Sequence, residues 1–326
     1  MRFSKRAVQR ILDECLALTR EGDTIALLGM PSVFRAAEDC SCQRSVFLLD
    51  ANAAAIDRLA ASPRGPCVIH CDLGSDLLPD VRASVVALDA PWYPDSTSAF
   101  LRAASQICVA GGHVLASIPP VGTRPGIERE WQGILREAER SGLKLLRLDP
   151  LAIPYLSPPF ERNALRAEGI TGFPPEWRRG TLAVFSSGKG EVPSPSTAIL
   201  RPEPWHEIAV DGVRIRVRPG DRAAFADPTL VSLVPGDVLP SVSRRDPRRQ
   251  MADVWTSGNR IFGCNGRATL AHILRAMARK EHAATVLCQA LGHALSGEEQ
   301  RLVAQVASQL DHLIRTEQDE NHSYGY

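Results

Sequence analysis

Residues 88–95, LDAPWYPD, bring two acids, two prolines and two aromatics together at the end of an apolar run. A carboxylate at Asp89 and the main-chain carbonyl of Ala90 are both suited to accept hydrogen bonds from N–H groups. Pro91 would fix the turn that aims that carbonyl, and Trp92 and Tyr93 offer flat surfaces for a planar base or a cationic stem, worth about 0.5–2 kcal/mol. The plainer readings are that Asp89 caps the following helix and that Trp92 is a core aromatic under a loop.

The segments around this cluster predict what must position it. SKRAVQRILDECLALTREGD has one apolar helical face, with Ser4 as its cap. Short apolar runs at 24–29, 45–50, 66–72, 83–89 and 111–120 read as strands covered on both faces, and 32–40, 51–61, 95–108 and 127–140 as helices between them. Strands 144–149 and 181–187 complete the set. The expected fold is α/β: a doubly wound, mostly parallel Rossmann-like sheet followed by a smaller, mainly helical C-terminal domain. The boundaries are 1–190 for the first domain, 191–205 for a Pro- and Ser-rich linker and 206–326 for an α+β accessory domain.

Between the last two strands, residues 150–180 form a long connection that hides a helix in FERNALRAEG and carries Tyr155, Phe160, Phe173 and Trp177. Those aromatics either close over a bound acceptor or pack against the second domain. In the second domain, EIAVDGVRIRVRP reads as a hairpin, 267–281, 282–295 and 297–316 as helices, and the tail EQDENHSYGY as frayed. Asn259 and Arg260 mark a turn with no assigned chemistry.

In an open parallel sheet ligands lie beyond the carboxyl ends of the strands, where strand order reverses. Gly29, Asp50, Asp72 and Asp89 all fall at such ends. Asp50 follows Gly29 by 21 residues, close to the interval at which an acid grips ribose hydroxyls. Asp50 could equally cap the helix after it. GMPSVF lacks the glycines of a pyrophosphate nest, which disfavours a dinucleotide and leaves a cofactor with ribose and adenine but no phosphates, S-adenosylmethionine.

Residues 24–118 resemble a class I S-adenosylmethionine-dependent methyltransferase. DAPWY is similar to the signature of amino-methyltransferases that act on exocyclic or side-chain nitrogens, and the nearer likeness is to the lysine methyltransferases of elongation factor 1A. The resemblance implies that Gly29, Met30, Pro31 and Ser32 line the methionine part of the cofactor, Asp50 holds the ribose, and Asp72 with Leu73 meets the adenine edge. Asp89, Ala90, Pro91, Trp92 and Tyr93 would then form the acceptor site, aligning an amine lone pair with the breaking C–S bond. Ala90 stands where the signature has its first proline. Two other functions share the frame: a methyltransferase-like module kept for binding or assembly, and an aminopropyltransferase using the decarboxylated cofactor.

The 38 basic and 37 acidic residues leave a net charge of +1, which ranks a protein or small-molecule amine (protein lysine or polyamine) above an adenine in nucleic acid. SRRDPRRQ at 243–250 is the one basic cluster, read as solvated or facing a partner, and the C-terminal domain is a candidate protein-binding unit. Cys67, His70 and Cys71 lack the second pair of a structural zinc site, so no metal is expected. No membrane span or secretory leader is expected, and the scattered cysteines fit a reducing cytoplasm.

Overall fold

The computed structural model describes residues 2–40, 43–61, 67–74, 76–188, 205–220, 224–243 and 246–323; all but the last residue of the expected linker lie outside them. By contacts the chain forms two units, Met1–Ser157 with Pro174–Leu200, and Pro158–Phe173 with Arg201–Tyr326.

The first unit runs β1 (Arg2–Phe3), α1 (Lys5–Ala17), β2 (Thr24–Leu28), α2 (Pro31–Asp39), β3 (Ser45–Asp50), α3 (Ala53–Ala60), β4 (Val68–His70) and β5 (Ala83–Leu88). It continues through α4 (Pro94–Ile107), β6 (Cys108–Ile118), α5 (Ile127–Arg140) and β7 (Leu143–Leu156). The chain then leaves for α6 (Pro159–Ala167) of the second unit and returns as β8 (Arg179–Ser187). The sheet order is β1-β7-β8-β6-β5-β2-β3-β4. β2 to β6 are parallel, β8 lies antiparallel between β6 and β7, and β1 pairs antiparallel with β7. This is the expected doubly wound sheet, and its order reverses between β2 and β5.

Strand alternation sorts the core into two layers. Ile25, Leu27, Val85 and Ala87 join α1, α2 and α3 on one face, while Ala26, Leu28, Val86 and Leu88 join α4 and α5 on the other. Ser4 caps α1 as expected, its Oγ accepting from the Ala7 N–H. α4 starts differently: Tyr93 is its N-cap with no side-chain bond, and Pro94 enters at the first turn. Asp89 is therefore no helix cap. The strand expected at 144–149 runs on to Leu156, because a bulge between Asp149 and Ile153, with Leu151 at φ 54°, carries the ladder past Pro150.

The second unit contains β9 (His206–Val210), β10 (Val213–Val217), β11 (Val231–Ser232), α7 (Pro247–Gln250), β12 (Val254–Thr256), β13 (Ile261–Gly263), α8 (Arg267–Arg279), α9 (Ala283–Leu291) and α10 (Gly297–Ser323). The β9–β10 hairpin turns at Asp211 and Gly212, both at positive φ. One face of the five-stranded sheet packs on α8, α9 and α10.

The tail expected to fray continues α10 to Ser323, because Glu317 and Glu320 have tertiary partners. The Glu317 side chain is 1% exposed, pairs with Arg260, and accepts from Ser257 and the Gly258 N–H, with Thr256 as a further donor. Glu320 meets the other arm of Arg260 at 2.6 Å. The turn marked by Asn259 and Arg260 is thus a structural clasp. Replacing Glu317 by alanine leaves three donors and part of a buried guanidinium uncompensated, and should cost about 3–5 kcal/mol in urea unfolding of the second unit.

Candidate functional site

The ladder continues past the carboxyl ends of the strands. Asp89 N–H donates to the Leu28 carbonyl (3.1 Å), Gly29 N–H to Leu49 (2.9 Å) and Cys71 N–H to Asp50 (3.1 Å). The tips of β5, β2, β3 and β4 consequently stand in one row across the strand-order reversal, where open α/β sheets take their ligands.

Gly29 sits at φ +70°, and a Cβ there would lie 3.2 Å from the Phe100 ring and 3.3 Å from the Asp89 carbonyl. Both the conformation and the close approach to β5 call for glycine. Met30 and Pro31 open α2; the Met30 side chain is buried in the first core layer, so only its backbone borders the row, and Ser32 is half-buried in the first turn.

Asp50 is partly exposed. Its Oδ1 accepts from the Asn52 N–H at 2.8 Å, and the capping role belongs to Asn52, whose side chain accepts from Ala55. Oδ2 makes no hydrogen bond among the described residues. Burial raises the Asp50 pKa, opposed by the Asn52 N–H and by His70, its register partner on β4. A half-buried carboxylate with one oxygen that makes no hydrogen bond among the described residues can accept from the hydroxyls of a ribose diol, which is the chemistry a nucleoside cofactor without phosphates would ask of this position. Asp72 is exposed and closes its own turn, Oδ1 accepting from the Gly74 N–H at 2.9 Å, while Leu73 leans on the second core layer.

Asp89 is partly exposed, yet desolvation pushes its carboxyl up to about 6. The opposing influence is Tyr155, whose hydroxyl donates to Oδ1 at 2.6 Å. Tyr155 is fully buried, and its hydroxyl also lies 2.5 Å from Ser117 Oγ. Desolvation, then the Asp89 charge, hold the phenol well above its ordinary pKa, so it stays a donor. Ala90 is buried and Pro91 exposed.

Trp92 departs from the expected stacking surface. It is 5% exposed, meets Tyr155 edge-on with centroids 5.5 Å apart, belongs to the first core layer, and has the Arg178 guanidinium 5.0 Å over its ring. A bulky indole beside a buried phenol gains more from packing than from waiting for a ligand. Tyr93 is partly exposed, with Arg124 6.0 Å over its ring; Arg124 also donates to the Trp92 carbonyl at 2.7 Å and pairs with Glu130.

Ser117, Gly180 and Arg124 carry weight that sequence reading did not assign, and Tyr155 a different one from the lid or inter-domain packing expected of it. Tyr155 lies on β7 and not on a loop over an acceptor. Among the other aromatics of that connection, Trp177 is 42% exposed and Phe160 belongs to α6. Cys71 is buried and its thiol raised chiefly by burial; among the described residues no group of three or more His, Cys, Asp or Glu could hold a metal.

No protein-family profile matches the chain. No curated protein matches it either. Solved structures of similar shape include S-adenosylmethionine-dependent methyltransferases. A TehB-like enzyme from Corynebacterium glutamicum is 16% identical over 56% of this chain and 89% of its own, with a TM-score of 0.38. The CcbJ methyltransferase from Streptomyces caelestis is 13% identical over 57% and 97%, with a TM-score of 0.40. A branched-chain polyamine synthase mutein from Thermus thermophilus, in complex with N4-aminopropylspermidine and 5′-methylthioadenosine, is 15% identical over 59% of this chain and 61% of its own, with a TM-score of 0.47. No helix among the described residues is long and apolar enough to cross a membrane.

The Asp89 carboxyl makes a pH-dependent prediction. Its folded pKa lies above the ordinary 3.8, so between about pH 4 and pH 6 the folded chain binds more protons than the unfolded one and stability falls as pH rises through that window. Asp89→Asn should therefore stabilise the fold by about 1–2 kcal/mol above pH 6, allowing for the exposed edge, with the gain vanishing toward pH 4 in thermal melts.

Proposed function

We propose that the first unit binds S-adenosylmethionine along the tips of β2, β3 and β4 and transfers its methyl group to an amino nitrogen held at the tip of β5. The observation that carries this reading is a partly exposed carboxylate, Asp89, fixed at the reversal of strand order with one oxygen held by Tyr155 and the other without a hydrogen bond among the described residues. Asp50 would hold the ribose hydroxyls through Oδ2, Gly29 to Ser32 would border the methionine part, and Asp72 with Leu73 the adenine edge.

The cofactor supplies an electrophilic methyl carbon on a sulfonium. With that group bound, Asp89 Oδ2 would accept an N–H of the neutral amine, aligning its lone pair for in-line transfer in which the C–S bond breaks and a neutral thioether leaves, and would offset the positive charge that grows on nitrogen. A carboxyl with a pKa raised to about 6 is largely ionised at neutrality and so available to accept N–H groups. Ala90 and Pro91 set the turn. Trp92 supports it from the core, and Tyr93 with Arg124 borders it. The acceptor is a protein or small-molecule amine, and the second unit is the place for a protein partner.

Isothermal titration tests the reading. Saturable binding of S-adenosylmethionine is expected, weakened about 10–100-fold by Asp50→Ala through loss of charge-assisted hydrogen bonds; a chain that binds none is a module without the activity. Transfer of labelled methyl to amines should fall at least about 100-fold in Asp89→Asn with little change in cofactor affinity. Turnover of the decarboxylated cofactor in place of S-adenosylmethionine would instead assign aminopropyl transfer.

A further inference from the structure

Behind Asp89 runs a directed chain of hydroxyls. An ionised carboxylate has no proton to give, so the 2.6 Å bond is donated by Tyr155; its single proton being spent, the 2.5 Å contact must be donated by Ser117. Ser117 is 2% exposed and Tyr155 is fully buried. Three separate strands make the arrangement. β6 supplies Ser117, β7 supplies Tyr155, and β8, paired between them, contributes Gly180, where a Cβ would stand 2.8 Å from Ser117 Oγ, 3.1 Å from the Tyr155 ring and 3.3 Å from Trp92. β1 pins the outer side: Phe3 pairs with Tyr155, its ring centroid 4.9 Å away, and Ser4 N–H donates to the Pro154 carbonyl.

We infer that Tyr155, directed by Ser117, is a positioning residue for the transfer: it clamps Oδ1 of Asp89 so that Oδ2 is left for the acceptor amine, an inference that rests on the function proposed above. Tyr155 itself touches no reacting atom. Its hydroxyl stabilises the ionised carboxylate against the desolvation that favours the neutral acid, and it fixes the carboxylate plane through one buried donor. Among the described residues it is the titratable side chain bonded to Asp89; Arg178 and Arg124 lie against Trp92.

The test is a direct titration of the Asp89 carboxyl, followed by NMR in protein carrying labelled aspartate and assigned with Asp89→Asn. Tyr155→Phe should move the Asp89 midpoint upward by about one pH unit or more, Ser117→Ala should move it the same way by less, and both should keep S-adenosylmethionine affinity within about twofold. The acid limb of the methyl-transfer rate should shift with the midpoint, with kcat reduced more than KM is raised. Midpoints in both variants equal to that of the unaltered chain would overturn the clamp. If Tyr155→Phe does not fold, Ser117→Ala decides alone, an upward shift supporting the inference and none refuting it. Absence of cofactor binding by the unaltered chain removes the reaction, and the assignment of Oδ2 to an amine with it, whatever the titration shows.

Discussion

A carboxyl group at the margin of a hydrophobic core is stable as an anion only if something donates to it, and that requirement organises the first unit. Desolvation favours the neutral acid at Asp89; the Tyr155 hydroxyl works against it from a strand 66 residues away. Tyr155 in turn cannot be buried without partners for its own oxygen, which Ser117 provides, and without space beside its ring, which the missing side chain of Gly180 provides. The short β1 strand, which covers the end of β7 through Phe3, holds the phenol ring from the far side. Thus the outermost strands of the sheet, distant in sequence, determine the state of a group at its centre.

Topology turns that local arrangement into a site. Five parallel strands deliver their carboxyl ends to one edge, and strand order reverses between β2 and β5, the place where open α/β sheets take their ligands. Gly29 brings β2 close to the Asp89 carbonyl, and the ladder bonds beyond the strand ends keep Asp50 and Asp89 in one row. Asn52 takes over the cap of α3, so one Asp50 oxygen is left without a hydrogen bond among the described residues.

The parts of this legible in the sequence are those that local periodicity encodes. Continuous apolar runs at β2, β3 and β5 and amphipathic helices between them announce a parallel sheet, and each acid at a strand tip can be named from its position. Tyr155 could not be placed in that way. Pro150 and the exposed Leu151 interrupt the apolar pattern of β7, so the strand pattern in the sequence ends at Asp149; only pairing with β8 across a bulge carries it on to Leu156. The burial of Trp92 is equally non-local, since it depends on Tyr155 from β7 and on Arg178, which immediately precedes β8. In the second unit the charged tail carries no apolar stripe, and its helical order comes from Arg260, some sixty residues earlier in the chain.

The cost of Asp89 bears on whether the site does chemistry or only holds the fold. A neutral amide in its place could still accept the Tyr155 hydrogen bond through its carbonyl oxygen and would avoid the desolvation of a charge. The one side-chain donor to the carboxylate among the described residues is a phenol, which a neutral acceptor would satisfy as well. A module serving only to bind or assemble gains nothing from a destabilised anion at the strand-order reversal. A transferase gains an acceptor for N–H groups. Local destabilisation tied to a specific chemical capacity is common at working sites, and that is the ground on which the function proposed above is preferred to a fold retained for its shape.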